Sequence, residues 1–218
     1  MDQCRIMRMI LGPVMTNCYL VKMDSSDGVV VIDPAADPVR ITEAAGKMNG
    51  QVCAILLTHG HFDHIGAVAE LRKSTGAKVY AHEMEQSVLK EPVQNLSWQE
   101  SDEIQISADV WLRDGMKVEE GQMEFQVLYT PGHTQGGCCY YLQREALLFS
   151  GDTLFDHSVG RTDFPTGSMS TLVRSIQDKL FVLPDETRVL PGHGEPTMIG
   201  TEKKENPFAG LYAGHWME

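Results

Sequence analysis

Long apolar runs, positive charge and paired cysteines are all scarce in this 218-residue chain. No stretch approaches the ~20 apolar residues that a membrane-spanning helix needs, so no such span is expected. Lys and Arg number 18 against 30 Asp and Glu, a formal net charge of −12. Phosphate backbones are bound by basic patches, so no nucleic-acid partner is expected, and an anionic membrane surface has little to attract. The five cysteines are odd in number, and none has a partner at zinc-finger spacing. They read as small buried apolar residues of a reducing compartment rather than as a disulfide framework. Met1-Asp2-Gln3-Cys4-Arg5 lacks the basic segment and apolar core of a secretory signal. The expectation is a cytoplasmic protein with a small-molecule substrate. No linker or low-complexity segment divides the chain, so residues 1–218 are expected to form one domain.

What the chain does have is Thr58-His59-Gly60-His61-Phe62-Asp63-His64. Three imidazoles and a carboxylate in one turn repel protons and fit no core, but they suit metal ions. The apolar run Val52–Leu57 leads in and reads as a buried strand ending at Thr58. An amphipathic run from Ile65 to Arg72 leads out, so a helix is expected to begin near Asp63 or His64. In an extended turn His59 and His61 project the same way. Asp63 and His64 come a step later and aim at a neighbouring point, which suggests two metals.

Residues 5–11, 14–22 and 29–33 read as strands, the last stopped at Asp33-Pro34. Asp37-Pro38 should cap and open a helix to Met48, closed by Asn49-Gly50. Residues 77–81 form a strand and 83–90 a short helix. Residues 91–115 show no period and have the character of a loop that covers a site. Two strands are expected within 116–129, around Glu120-Gly121. A hairpin should join 138–142 to 146–150, followed by a helix over 168–180 and a last strand over 187–190. From Thr201 the chain reads as a polar tail. Strands then helices, twice over, suggest a pseudo-duplicated sandwich with the helices outside.

Three further residues share one grammar: an apolar strand, a glycine turn, then a ligand-type side chain. They are His133 in Pro131-Gly132-His133, Asp152 in Ser150-Gly151-Asp152, and His193 in Pro191-Gly192-His193. Each should emerge at the strand edge that carries His59 to His64. His82, His157 and His215 lack this setting. His82 reads as a helix-start residue and His157 as a loop residue, while His215 lies in the tail.

In this order, residues 58–64, His133, Asp152 and His193 resemble the metallo-β-lactamase superfamily, and the resemblance runs to about residue 200. It implies an α+β fold, a four-layer αββα sandwich with a binuclear site at its edge. His59, His61 and His133 would bind one metal, and Asp63, His64 and His193 the other, with Asp152 bridging both. The ions would be divalent: zinc first, with iron or manganese as alternatives. The β-lactamases themselves lack a bridging Asp and commonly place a Cys there. Asp152 therefore puts the chain nearer the hydroxyacylglutathione hydrolases of glyoxalase II type. Ser158-Val159-Gly160-Arg161-Thr162-Asp163-Phe164-Pro165 is similar to the short bacterial forms of that family and to the persulfide dioxygenases. The extra C-terminal helical domain that helps full-length glyoxalase II hold glutathione is not expected here, nor is the inserted domain of the nuclease members.

The resemblance implies hydrolysis of a thioester or related acyl compound by a metal-bridging hydroxide, with Asp63 orienting that nucleophile as catalytic residue. A lactonase would use the same metals. The alternative from another class is a persulfide dioxygenase with one iron on His59, His133 and Asp152. Arg161 looks like the basic residue that contacts a carboxylate of the thiol carrier, and an ion pair with Asp163 or Asp156 is the competing role for it.

Overall fold

A computed structural model describes residues 2–100, 103–211 and 213, without the side chain of Gln99. The expectation for His215 lies outside the described residues. The first sheet is built from β1 (Cys4–Leu11), β2 (Thr16–Met23), β3 (Gly28–Ile32), β4 (Gln51–Leu56), β5 (Lys78–His82) and β6 (Val110–Leu112), side by side in chain order. The strands β7 (Lys117–Glu120), β8 (Met123–Tyr129), β9 (Cys138–Leu142), β10 (Leu147–Gly151), β13 (Arg188–Pro191) and β14 (Thr197–Met198) form the second. A small ribbon pairs β11 (Leu154–Phe155) with β12 (Ser158–Val159).

Alternation along the strands makes the layers, because successive side chains point to opposite faces. Tyr19, Val21, Val30, Ile32 and Leu56 meet Phe125, Val127, Tyr140 and Phe149 between the sheets. Cys18, Leu20, Val29, Val31 and Ile55 face the other way, against Ile41 and Ala45 of α1 (Pro38–Lys47) and Val68 and Leu71 of α3 (Val68–Thr75). On the far side Leu128, Tyr141, Leu148 and Val189 pack against Leu172 of α5 (Met169–Ser175) and Ile199 of α6 (Ile199–Glu205). This is the expected αββα sandwich, with helices outside two sheets.

Several local expectations shift. The helix after the histidine turn is two pieces, α2 (Phe62–Ile65) and α3. They break at Gly66, where an added Cβ would lie 2.3 Å from the Ala35 carbonyl oxygen. Asp37 does not cap α1 with its side chain. Its backbone is left-handed, and its carboxylate pairs with Arg40 at 3.2 Å. The helix expected over 168–180 is capped by Ser168, whose hydroxyl accepts from Thr171 N, but it widens to a π turn over Ile176–Leu180. Residues 83–90 form a 3₁₀ turn, Glu83–Glu85, and then α4 (Gln86–Lys90). Within 91–115 the structure adds β6, and the polar tail from Thr201 is instead most of α6. Among the described residues no helix is long and apolar enough to cross a membrane. All five cysteines are unpaired.

Topology places the chemistry. Strands β3 to β6 run parallel, as do β10 and β13. Strand β8 is antiparallel to β9 and β9 to β10, so β8 runs with β10. The C-terminal ends of β3, β4, β8, β10 and β13 therefore gather on one edge of the sandwich.

Candidate metal centre

Every ligand-type residue named from the sequence arrives at that edge. Strand β4 delivers His59, His61, Asp63 and His64, β8 delivers His133, β10 delivers Asp152, and β13 delivers His193. Glycines allow the close approach. A Cβ on Gly192 would lie 2.2 Å from Asp152 Oδ1 and 2.7 Å from the His64 ring, and one on Gly151 would lie 2.2 Å from Thr58 Oγ1. The backbone ties the two sheets together here, with Cys138 N donating to Thr58 O at 2.9 Å and Asn17 N to Gly192 O at 2.7 Å.

The donors form two adjacent sets. Ligand atoms of His59, His61 and His133 lie within 4.8 Å of one another, and so do those of Asp63, His64 and His193. In the first set His61 Nδ1 and His133 Nε2 are 2.9 Å apart. In the second, His193 Nε2 is 3.2 Å from Asp63 Oδ2 and His64 Nε2 is 3.6 Å from the same oxygen. Asp152 stands between them. Its Oδ1 is 3.4 Å from His64 Nε2, and its Oδ2 is 3.6 Å from both His133 Nε2 and His193 Nε2.

The hydrogen bonds behind the rings choose the tautomers. Thr58 Oγ1 donates to Asp33 Oδ2 at 2.6 Å, so it accepts from His59 Nδ1 at 3.1 Å. Asp33 Oδ2 also accepts from His64 Nδ1 at 3.0 Å, and the Arg161 carbonyl accepts from His133 Nδ1 at 2.7 Å. In each of the three rings Nε2 is then the nitrogen that faces the centre. His59 Nε2, His64 Nε2 and Asp152 Oδ1 are buried without any hydrogen-bond partner. Buried polar atoms are rarely left so, and a cation explains these. Imidazole and carboxylate donors in this arrangement fit two divalent ions.

Electrostatics agree with that fit. Burial, reinforced by the neighbouring rings, holds His59 well below its ordinary value, takes His61 to about 3, and lowers His133. These imidazoles are neutral, as ligands must be. Burial alone would raise Asp63 and Asp152. His64 chiefly, with His193, outweighs it and holds both carboxyls below their usual values. Burial opposes charge on His64 and His193 too, but the surrounding carboxylates raise both. The second set thus competes for positive charge, with Nε2 of His64 and His193 open to a proton or a metal ion alike.

Above the donors lies a cleft of about 270 Å³, walled by Val14, Phe62, Leu96, Phe155 and Phe164, with Arg161 at its rim. Leu96 comes from the loop that had no readable period. The Arg161 guanidinium is exposed and gripped bidentately by Asp163, at 3.0 and 2.7 Å, and it lies 4.2 Å over the Phe164 ring. His82 ends β5 and opens the 3₁₀ turn, where its Nδ1 accepts from Met84 N, as a helix-start residue should. His157 points away from the centre, toward Asp156 and Glu205. Glu202 beside it is spent on Thr197, Asn206 and the His157 backbone.

Asp33, Thr58, Thr16 and Glu85 support the centre without a motif of their own in the sequence. Thr16 Oγ1 donates to Asp63 Oδ2 at 2.9 Å, and Glu85 accepts from Gly60 N at 2.8 Å. Asp33 carried one available signal, an acid closing an apolar strand beside the strand that feeds the histidines.

A family model described as the metallo-beta-lactamase superfamily matches residues 11–193. The chain is 37% identical over 204 residues to the probable metallo-hydrolase YqgX of Bacillus subtilis, covering 92% of this chain and 95% of that protein. It is 34% identical over 198 residues to the hydroxyacylglutathione hydrolase GloC of Haemophilus influenzae, covering 88% and 92%. Among solved structures it is similar to the BLEG-1 B3 metallo-beta-lactamase, with 39% identity, a TM-score of 0.88, and 94% and 99% of the two chains covered. TTHA1623 in a di-iron-bound form gives 38% identity and a TM-score of 0.83 over 93% and 99%. ETHE1 from Myxococcus xanthus gives 33% and 0.76 over 94% and 84%. With this fold, these ligand sets and a match across most of its length, the chain belongs to the metallo-beta-lactamase superfamily.

Proposed function

We propose that the protein hydrolyses the thioester of a small acyl group, using two divalent metal ions held side by side. The observation that carries this reading is the completeness of the second ligand set, Asp63, His64 and His193, beside the first, with Asp152 facing both. Zinc is the first candidate for such N and O donors, and iron or manganese are alternatives. Iron has support from the di-iron form of TTHA1623. When bound, such ions polarise an acyl oxygen and bring the pKa of water from ~15.7 toward ~7.

The chain's own residues supply the rest. Asp152, which faces both donor sets, would help hold an ion in each. Asp63, steadied by the Thr16 hydroxyl, orients the attacking water as well as serving as a ligand. Leu96, Phe155 and Phe164 keep bulk water from the acyl arm. Arg161 takes a carboxylate of the thiol carrier, exchanging its bond to Asp163 for one to the substrate. A thiolate leaves without strong general-acid help, which suits a site with few proton donors. The similarity to GloC supports a hydroxyacyl thioester of glutathione as a substrate to try first, since it extends over 92% of that protein.

A second reading rests on His59, His133 and Asp152, a two-His-one-carboxylate set of the kind that holds a single iron for O₂ chemistry. In that case the reaction would be oxidation of a thiol persulfide. Metal content and activity separate the two. Two ions per chain with thioester cleavage supports hydrolysis, and loss of activity in both His59→Ala and His193→Ala agrees with it. One iron with O₂ consumption on a persulfide, tolerant of His193→Ala, supports the second reading. Turnover of a lactone or a β-lactam in preference to any thioester would reject the proposed substrate class.

A further inference from the structure

We infer that Glu85 is a positioning residue that sets the spacing of the first metal site, and that the second site has a separate clamp in Asn17. The inference rests on the reading of two metal positions. Glu85 bonds none of the ligand side chains and does not line the cleft above them, yet it is a carboxylate only 1% exposed. Among the described residues no cation pairs with it, so its burial has to be offset by hydrogen bonds. Those bonds converge from the two loops that carry the first ligand set. Oε1 accepts from the backbone N of Gly60, which lies between His59 and His61, at 2.8 Å. Oε2 accepts from the hydroxyl of Thr134, next to His133, at 3.0 Å, and the Gly136 backbone reaches the same carboxylate.

The contact is close enough to dictate its neighbours. A Cβ on Gly136 would lie 2.4 Å from Glu85 Oε2 and 2.2 Å from Glu85 N. Gln135 adds two latches to the same segment, donating through Nε2 to Met84 O at 3.1 Å and Ser87 Oγ at 2.6 Å. The turn Glu83–Glu85 and α4 thus act as a strut, and the acceptor at its tip fixes how far His59 and His61 stand from His133. The second site is held from another strand of the first sheet, β2, three places from β5. Asn17 Nδ2 donates to Pro191 O and Gly194 O, both at 2.9 Å, and so brackets His193. Tyr19 OH also donates to Pro191 O, at 2.8 Å. The two clamps share no residue.

A side chain that only keeps the fold together would affect both sites alike, whereas a positioning residue affects its own. Glu85→Gln keeps the shape but turns an amide NH₂ toward backbone or hydroxyl donors. Metal-free protein is titrated with Zn²⁺ against a chromophoric chelator, in wild type and in a His193→Ala background that isolates the first site. Thermal melting of each metal-free variant is followed in parallel. In that background Glu85→Gln should weaken Zn²⁺ by up to about 10-fold, the low end of the range for groups bonded directly to metal ligands, because Glu85 acts one bond further out. Asn17→Ala should leave the first site within about twofold even where its melting temperature falls, since its lost bonds are to Pro191 and Gly194. Should Glu85→Gln fail to fold, Thr134→Val removes one donor from the same carboxylate, and a few-fold loss is expected there. Unchanged first-site affinity in Glu85→Gln, or equal losses in Glu85→Gln and Asn17→Ala with lowered melting temperatures, overturns the inference. Wild type that takes up fewer than two Zn²⁺ overturns the two-site reading itself, a different result from two sites of which neither responds to Glu85.

Discussion

Asp33 Oδ2 accepts the Nδ1 proton of His64 at 3.0 Å, and that one bond decides which nitrogen of His64 faces the metal position. The same oxygen takes the Thr58 hydroxyl, which in turn receives His59 Nδ1. One acid at the end of β3 therefore orients an imidazole from each ligand set. Asp33→Ala should free both rings and weaken metal binding by about 10- to 100-fold, with turnover falling in step. Competition against a chelator reads the first effect. Retention of both metals at wild-type affinity would show that the rings are fixed by their packing instead.

Gly66 separates α2 from α3 and lets the turn bearing Asp63 and His64 lie against β3. Its φ of −57° suits any residue, so the need for glycine is purely steric. Gly66→Ala should cost about 1–3 kcal/mol, the range for forcing atoms into a filled space, because the new Cβ meets the Ala35 carbonyl at 2.3 Å. Thermal or urea unfolding checks it. An unchanged midpoint would mean the two helices can part freely.

The strands and the clustered ligand-type residues were legible because both leave local patterns. Val29–Ile32 and Val52–Leu57 are apolar runs stopped by Asp-Pro and by the histidine turn. His133, Asp152 and His193 each follow a glycine at a strand end. The supporting groups leave no such pattern. Glu85 meets Gly60 across 25 positions and Thr134 across 49. Thr16 meets Asp63 across 47. α6 was hidden because Lys203, Lys204 and Glu205 read as a tail, while its buried face shows only Ile199 and Glu202. The break at Gly66 depends on the Ala35 carbonyl, which periodicity cannot foresee.

Arg161 is anchored by Asp163, with both side chains about two-thirds exposed. Exposed pairs of this kind exchange readily with a competing anion. Arg161→Ala should therefore raise KM for an anionic thioester more than for a neutral one, with metal content unchanged. Equal effects on the two substrates together with a lower melting temperature would assign the guanidinium to the structure of its loop.

His157 offers a test of pH dependence away from the centre. Its Nδ1 lies 2.8 Å from Asp156 and its Nε2 3.1 Å from Glu205, with Glu202 at 4.0 Å. Hydrogen bonds to Asp156 and Glu205 raise it above the ordinary 6.5. The folded state thus holds the proton more tightly than the unfolded chain. The stabilisation is full below the unfolded value and disappears as pH rises through the folded one. Wild type should melt above His157→Gln at about pH 6 and level with it at about pH 9, by a margin that shrinks in salt. A gap that widens with pH would mean that the ring acts there as a neutral group.

In the proposed hydrolase one carboxylate, Asp152, joins two metal positions into a single site. This role is tested most directly by elemental metal analysis of wild type and Asp152→Ala, with thioester turnover measured on the same samples. Wild type should carry close to two divalent ions per chain. The variant should carry one ion or none and show no hydrolysis. Asp152→Ala with the full wild-type metal content and the full wild-type rate would contradict that role.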